Sequence, residues 1–135
     1  MKEIAAGTQG ISEIDVKFEN TAAFVDSVLP PVHSTPQLVG LCENACREAI
    51  KPYYDEGEDS VGAGVNIKHL AGSPIGFHVT AKATVKSVNG RMIDFDVEAF
   101  DDLEKVAEGT HTRVIINSAK HAARIAEKKA RKENK

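Results

Sequence analysis

The chain has 135 residues, 41% hydrophobic and 27% charged, a length for one domain and a composition that does not suggest disorder. Its formal net charge of −3 excludes bulk affinity of the whole chain for nucleic acid, and no apolar run approaches the roughly 18–20 residues of a membrane helix. Met1 to Ile14 lacks a basic region followed by an apolar stretch, so no signal peptide is expected; two cysteines then point to a reducing, cytoplasmic setting without a disulfide framework.

Ile14 to Phe18 alternates apolar with charged residues and predicts a short strand. Leu29-Pro30-Pro31-Val32 is a rigid extended connection. Thr35 (or Ser34) is placed to cap a helix whose first turn holds Pro36, and that helix is expected to run to about Lys51, before Pro52. Asp55 to Asp59 is a polar turn, and Ser60 to Leu70 a strand. Phe77 to Lys86 alternates cleanly, as one face of a half-buried strand does. Asn89-Gly90 is a strong hairpin signal leading into a second alternating run from Ile93 to Phe100. After a turn at Asp101-Asp102, Val106 to Ile116 forms the last long strand. One long helix among several antiparallel strands must be buried against a sheet, which gives an α+β fold. Residues 1–117 are read as that domain, and 118–135 as a basic helical tail with seven Lys/Arg against two Asp/Glu. Without aromatic residues between its charges the tail reads as a solvated helix, not a nucleic-acid surface.

On the central helix, Leu38, Val39, Leu41, Cys42, Ala45, Cys46, Ala49 and Ile50 share a wide apolar arc. Glu43 falls on its border, where a carboxylate loses hydration and gains basicity. The plainer reading is a surface pair with Arg47, four residues on. Cys42 and Cys46 lie on the apolar face as core thiols, and no histidine set gives them a metal partner.

Several motifs occur in a fixed order: Thr35-Pro36, Gly40-Leu41-Cys42-Glu43-Asn44-Ala45-Cys46, Asp59-Ser60-Val61-Gly62 and Val65-Asn66-Ile67-Lys68-His69-Leu70. Ser73-Pro74-Ile75-Gly76, Val88-Asn89-Gly90-Arg91 and Glu108-Gly109-Thr110-His111-Thr112-Arg113 continue the series. Together they resemble the hotdog-fold thioesterases of the fluoroacetyl-CoA thioesterase type, over about residues 12 to 117. The resemblance implies an antiparallel sheet wrapped around one long central helix, and a homodimer with active sites near its interface; whether dimers pair further stays open. It implies an acyl-CoA substrate and neither metal nor cofactor. Thr35, Glu43 and His69 match the family's catalytic threonine, glutamate and histidine. Gly62 matches a glycine lining the acyl end of the pocket, and Arg113 an arginine near the active site.

These residue types suit hydrolysis of a small or medium acyl-CoA thioester to free acid and CoA. Such chemistry needs a nucleophile or general base, a proton carrier and a donor for the developing oxyanion. Glu43 can attack the carbonyl or activate water. His69 can protonate the leaving thiolate, and Thr35, at a helix start, can donate to the carbonyl oxygen or orient Glu43. Each residue also has a plainer role: Thr35 as a cap, His69 as a strand-end histidine, Gly62 and Gly64 as a bulge, Arg113 paired to Asp94 or Asp96. The segment from Asp26 to Val32 has no aromatic residue where the fluoroacetyl-specific member carries an aromatic lid, so that substrate is not carried over. The alternative is a non-catalytic protein that holds acyl-CoA or a small ligand in the same groove. A hydratase on this fold would carry an Asp and His pair at short spacing, which is missing here.

Overall fold

A computed structural model describes residues 1–134. Its elements are β1 (Gln9–Asp15), α1 (Ala22–Val25), α2 (Thr35–Ile50), β2 (Glu58–His69), β3 (His78–Asn89), β4 (Met92–Phe100), β5 (Lys105–Asn117) and α3 (Ser118–Glu133). Short 3-10 turns cover Phe18–Asn20 and Lys51–Tyr53. The five strands form one antiparallel sheet in the order β1-β3-β4-β5-β2. The sheet curls around α2, whose expected apolar arc is the buried one: Leu38, Leu41, Cys42, Ala45, Cys46, Ala49 and Ile50 are buried, with Val39 half-buried. Burying a leucine or isoleucine stabilises by about 1.5–3 kcal/mol each. Facing the helix are Val79, Ala81, Ala83 and Val85 from β3 and Ile93, Phe95, Val97 and Ala99 from β4. This is the hotdog arrangement that the resemblance implies.

The first strand departs from expectation. It lies at residues 9–15, not 14–18, and Phe18 belongs to the following turn. Gly10 explains the placement: a Cβ there would stand 2.3 Å from the Ala45 carbonyl oxygen, so β1 presses its backbone directly onto α2. The β3–β4 hairpin is present with its turn one residue later than the Asn-Gly pair indicates. Asn89 pairs with Met92, and Gly90, at φ +63°, takes the first turn position.

Three features prepare the site. Ser34, not Thr35, caps α2; its hydroxyl accepts from the Gln37 N–H. β2 is an edge strand, exposed from Gly62 through Asn66, so one row of its backbone N–H and C=O groups is unpaired. It also bulges between Gly62 and Gly64. α3, capped by Asn117, buries none of its described residues, and no described helix is long and apolar enough to cross a membrane.

Candidate active site

Freed from capping, Thr35 has its hydroxyl 2.8 Å from Nδ1 of His69. Two polarities satisfy this contact. Either the threonine donates and leaves the His69 Nε2–H free to donate elsewhere, or Nδ1–H donates and leaves the threonine proton free. Thr35 is exposed and His69 half-exposed, so the pair opens to solvent at the start of α2 and the end of β2.

Glu43 stands elsewhere. Eight residues along α2 at 1.5 Å each separate it from Thr35 by about 12 Å. It does not pair with Arg47, which instead grips Asp59 with two bonds of 2.9 and 2.7 Å and holds that carboxyl down at about 2. Glu43 faces Gly62 and Arg113. A Cβ on Gly62 would lie 3.2 Å from Glu43 Oε2 and 3.3 Å from His111 Cε1, and the nearest Arg113 nitrogen, Nη1, is 3.9 Å from Oε2. The side chain of Glu43 is 36% exposed and that of Arg113 only 7%. Arg113 takes neither Asp94 nor Asp96; it donates to Ser60 Oγ, to the Ser60 carbonyl and to His111 Nε2.

The β2 bulge decides which residues share a face. Gly62 and His69 are seven apart, and in a regular strand an odd spacing puts two residues on opposite faces. Here Gly62 lies opposite Arg113 and His69 opposite Ala107, both inward positions of β5, because the chain gains one residue at Ala63. Gly62 and His69 therefore both look toward the helix side.

His111, which the sequence reading left without a role, belongs to the Glu43 group. Its Nδ1 lies 2.7 Å from the Gly64 carbonyl and must donate to it, so Nε2 is the acceptor for Arg113. Burial, with the Arg113 charge adding to it, holds its pKa below the usual histidine value. The findable signal was the i, i+2 spacing of His111 and Arg113 on one strand face. His33 is also fully buried, and neither ring nitrogen has a partner among the described residues; burial and the nearby His69 lower its pKa. Burial raises both thiols, Cys42 to about 11, which leaves them inert. Among the described residues no cluster of three metal-ligating side chains occurs.

The fold thus gathers the five sequence candidates into two groups, Thr35 with His69 and Glu43 with Gly62 and Arg113. Among the described residues no hydrogen bond or ion pair joins the two groups. A cleft of about 560 Å³ between Arg91, the end of β5 and α3 contains none of the five.

The model of the fluoroacetyl-CoA-specific thioesterase family matches residues 16–119. The fluoroacetyl-CoA thioesterase of Streptantibioticus cattleyicolor is 38% identical over 99 residues, covering 73% of this chain and 71% of that protein. A solved structure of a fluoroacetyl-CoA thioesterase superposes with a TM-score of 0.88 at 31% identity, over 94% of this chain and 98% of its own. A Thermus thermophilus protein described as a thioesterase superfamily member superposes with a TM-score of 0.92 at 31% identity, over 100% of both chains.

Proposed function

This chain belongs to the fluoroacetyl-CoA-specific thioesterase family, and on that premise we propose that it hydrolyses a short acyl-CoA thioester at a site completed by a second copy of itself. The observation that carries the reading is the placement of both groups along one exposed edge strand. Two β2 edges pairing antiparallel about an axis between Val65 and Asn66 set His69 of one copy opposite Gly62 of the other. Adjacent strands lie about 4.8 Å apart. The Thr35–His69 pair then meets the partner's Glu43 and Arg113 across the axis, and the unpaired backbone of β2 gains its hydrogen bonds.

The chemistry follows from the groups so assembled. The Thr35 backbone N–H donates to the thioester oxygen as it becomes an oxyanion, because Pro36 has no N–H and Ser34 holds those of Gln37 and Leu38. The Thr35 hydroxyl donates to His69 Nδ1 and keeps the Nε2–H for the leaving group. Glu43 either attacks the carbonyl carbon, giving an anhydride that water then opens, or removes a proton from the attacking water. As the carbon–sulfur bond breaks, His69 gives a proton to the leaving thiolate. Gly62 leaves room for the acyl end, and Glu43 and His111, each within about 3.3 Å of where its Cβ would stand, make that room short and polar. Phe24 does not form an aromatic lid: it is exposed and stacks edge-on with Phe18, ring centres 5.9 Å apart. The substrate class is accordingly a small acyl-CoA, with no aromatic cover to select fluorine.

The test is thiol release from a panel of acyl-CoA esters of increasing chain length. Glu43→Gln and His69→Ala are each expected to abolish release while the protein stays folded. Retained turnover in both variants would refute the reading. Thermal stabilisation by CoA esters without thiol release would replace it with a binding role. Solvent ¹⁸O entering the Glu43 carboxylate in a single turnover separates attack by Glu43 from proton removal by it.

A further inference from the structure

The buried guanidinium of Arg113 is held in an unusual way. Its side chain is 7% exposed, yet its nearest carboxylate stands 3.9 Å off, beyond hydrogen-bond distance. Among the described residues its three hydrogen bonds go to neutral acceptors: Nε to Ser60 Oγ at 2.7 Å, Nη2 to the Ser60 carbonyl at 2.9 Å and Nη1 to His111 Nε2 at 3.2 Å. A cation buried for stability alone is expected to be neutralised by a bonded carboxylate. This one is fixed in plane while its charge stays directed toward Glu43.

The fixing extends outward through a polar chain. Arginine only donates, so Ser60 Oγ accepts from Nε, and the same oxygen shares a 2.6 Å hydrogen bond with Tyr54 Oη in which either hydroxyl can donate. Ser60 is held in turn through its backbone, whose N–H donates to the Asp59 carboxylate that Arg47 anchors with two bonds. On the other side His111 is pinned by the Gly64 carbonyl at the β2 bulge. Tyr54 and Ser60 make no hydrogen bond to Thr35, Glu43 or His69 among the described residues; Ser60 holds Arg113 directly and Tyr54 holds the Ser60 hydroxyl.

We propose that Tyr54 and Ser60 are positioning residues for the thioesterase reaction, holding Arg113 between His111 and Glu43 so that its charge acts on the acyl group and the oxyanion as they form. The inference rests on the reading of Glu43, Thr35 and His69 as one site. Misplacing a polar group by about 1 Å costs on the order of 100-fold in rate, so Ser60→Ala is expected to lower kcat by about 10- to 100-fold with little change in KM. Tyr54→Phe, which leaves the Ser60–Arg113 bond intact, is expected to lose less.

The decisive experiment is a double-mutant cycle on Arg113→Lys, which keeps the charge and cannot make the three-sided contact. Steady-state kinetics and thermal midpoints are measured for Ser60→Ala and Tyr54→Phe in both backgrounds. If the two residues act through Arg113, their kcat losses nearly vanish in the Arg113→Lys background. Equal losses in both backgrounds, or no loss in the wild-type background, overturn the proposal. If Ser60→Ala does not fold, the conservative Tyr54→Phe arm carries the same comparison. Failure of the underlying site reading is told apart by Glu43→Gln: turnover surviving that variant sinks the site itself, whereas turnover lost there but unmoved by Ser60→Ala and Tyr54→Phe sinks only the positioning role.

Discussion

If each active site takes His69 and Thr35 from one chain and Glu43 from the other, two inactive variants should restore each other. In one chain Glu43 lies about 12 Å along α2 from Thr35, a gap wider than a single thioester carbonyl and its attacking atom span. Across the proposed axis, His69 faces the partner's Gly62, and Gly62 is itself in contact range of Glu43. A dimer of one Glu43→Gln chain and one His69→Ala chain then carries one intact site and one doubly damaged site. Random exchange of equal amounts makes about half the dimers mixed, so the mixture should regain about a quarter of wild-type activity. Purified mixed dimers, isolated with two different tags, should show about half. The converse mixture discriminates more sharply: a dimer of wild type with the Glu43→Gln/His69→Ala double variant has no intact site in the crossed arrangement. In a one-chain arrangement it retains about half. Thiol release from a short acyl-CoA reads both. A first mixture no more active than its parents, together with a second at half activity, would refute the shared site, and a monomeric protein by sedimentation would refute it outright.

Gly62→Ala puts a methyl 3.2 Å from Glu43 Oε2 and 3.3 Å from His111 Cε1; kcat/KM is expected to fall about tenfold from displacement of the carboxylate, with the thermal midpoint within a few degrees of wild type. Gly10→Ala, remote from the chemistry, drives a methyl to 2.3 Å from the Ala45 carbonyl oxygen and 2.4 Å from the Ala49 nitrogen, so chemical denaturation should show a loss of about 3 kcal/mol or more. His33 and His111 are buried with pKa values below the usual 6.5; the unfolded chain takes up their protons first as acid is added. Stability is therefore full above about pH 6.5 and declines as pH falls through the folded-state values, by at most about 1.4 kcal/mol per pH unit for each histidine. His33→Met, which removes two buried nitrogens that have no partner among the described residues, should raise stability at neutral pH by about 1–2 kcal/mol and flatten this acid slope; an unchanged slope would show that His33 contributes none of it.

Periodicity made the helix and two strands legible, because each carries its apolar residues at one spacing: 3.6 along Leu38–Ile50 and 2 along the β3 and β4 runs, whereas β5 has apolar residues only at its two ends and Gly109, His111 and Arg113 at its inward middle positions. It misplaced β1, whose inward residue at the start is Gly10. Glycine has no hydrophobic signal, and its role there is to lack a side chain against α2. The candidate residues were found by motif, and their contacts were not. Asp59 outcompetes Glu43 for Arg47 because the start of β2 runs past α2 at that point, which no local spacing encodes. His111 escaped because its role depends on a carbonyl at a bulge in the neighbouring strand. Ser60 and Tyr54 escaped because both are six residues apart through a turn, and only the turn brings their hydroxyls together.

Gly62 and Gly64 had two readings in the sequence, a lining residue of the pocket and a mere strand irregularity, and the two are one device. Removing the extra residue would restore strict alternation along β2, and with Gly62 still facing Glu43, His69 would turn to the outer face and lose Thr35. At the end of the same bulge the Gly64 carbonyl accepts from His111, and through His111 one side of Arg113 is held. A defect in pairing on the edge strand thus sets the face of the imidazole at one end of the site and the orientation of the guanidinium at the other. The edge is also where a second copy pairs in the proposed dimer, so the irregularity that arranges each half-site lies within a few residues of the axis that would join them.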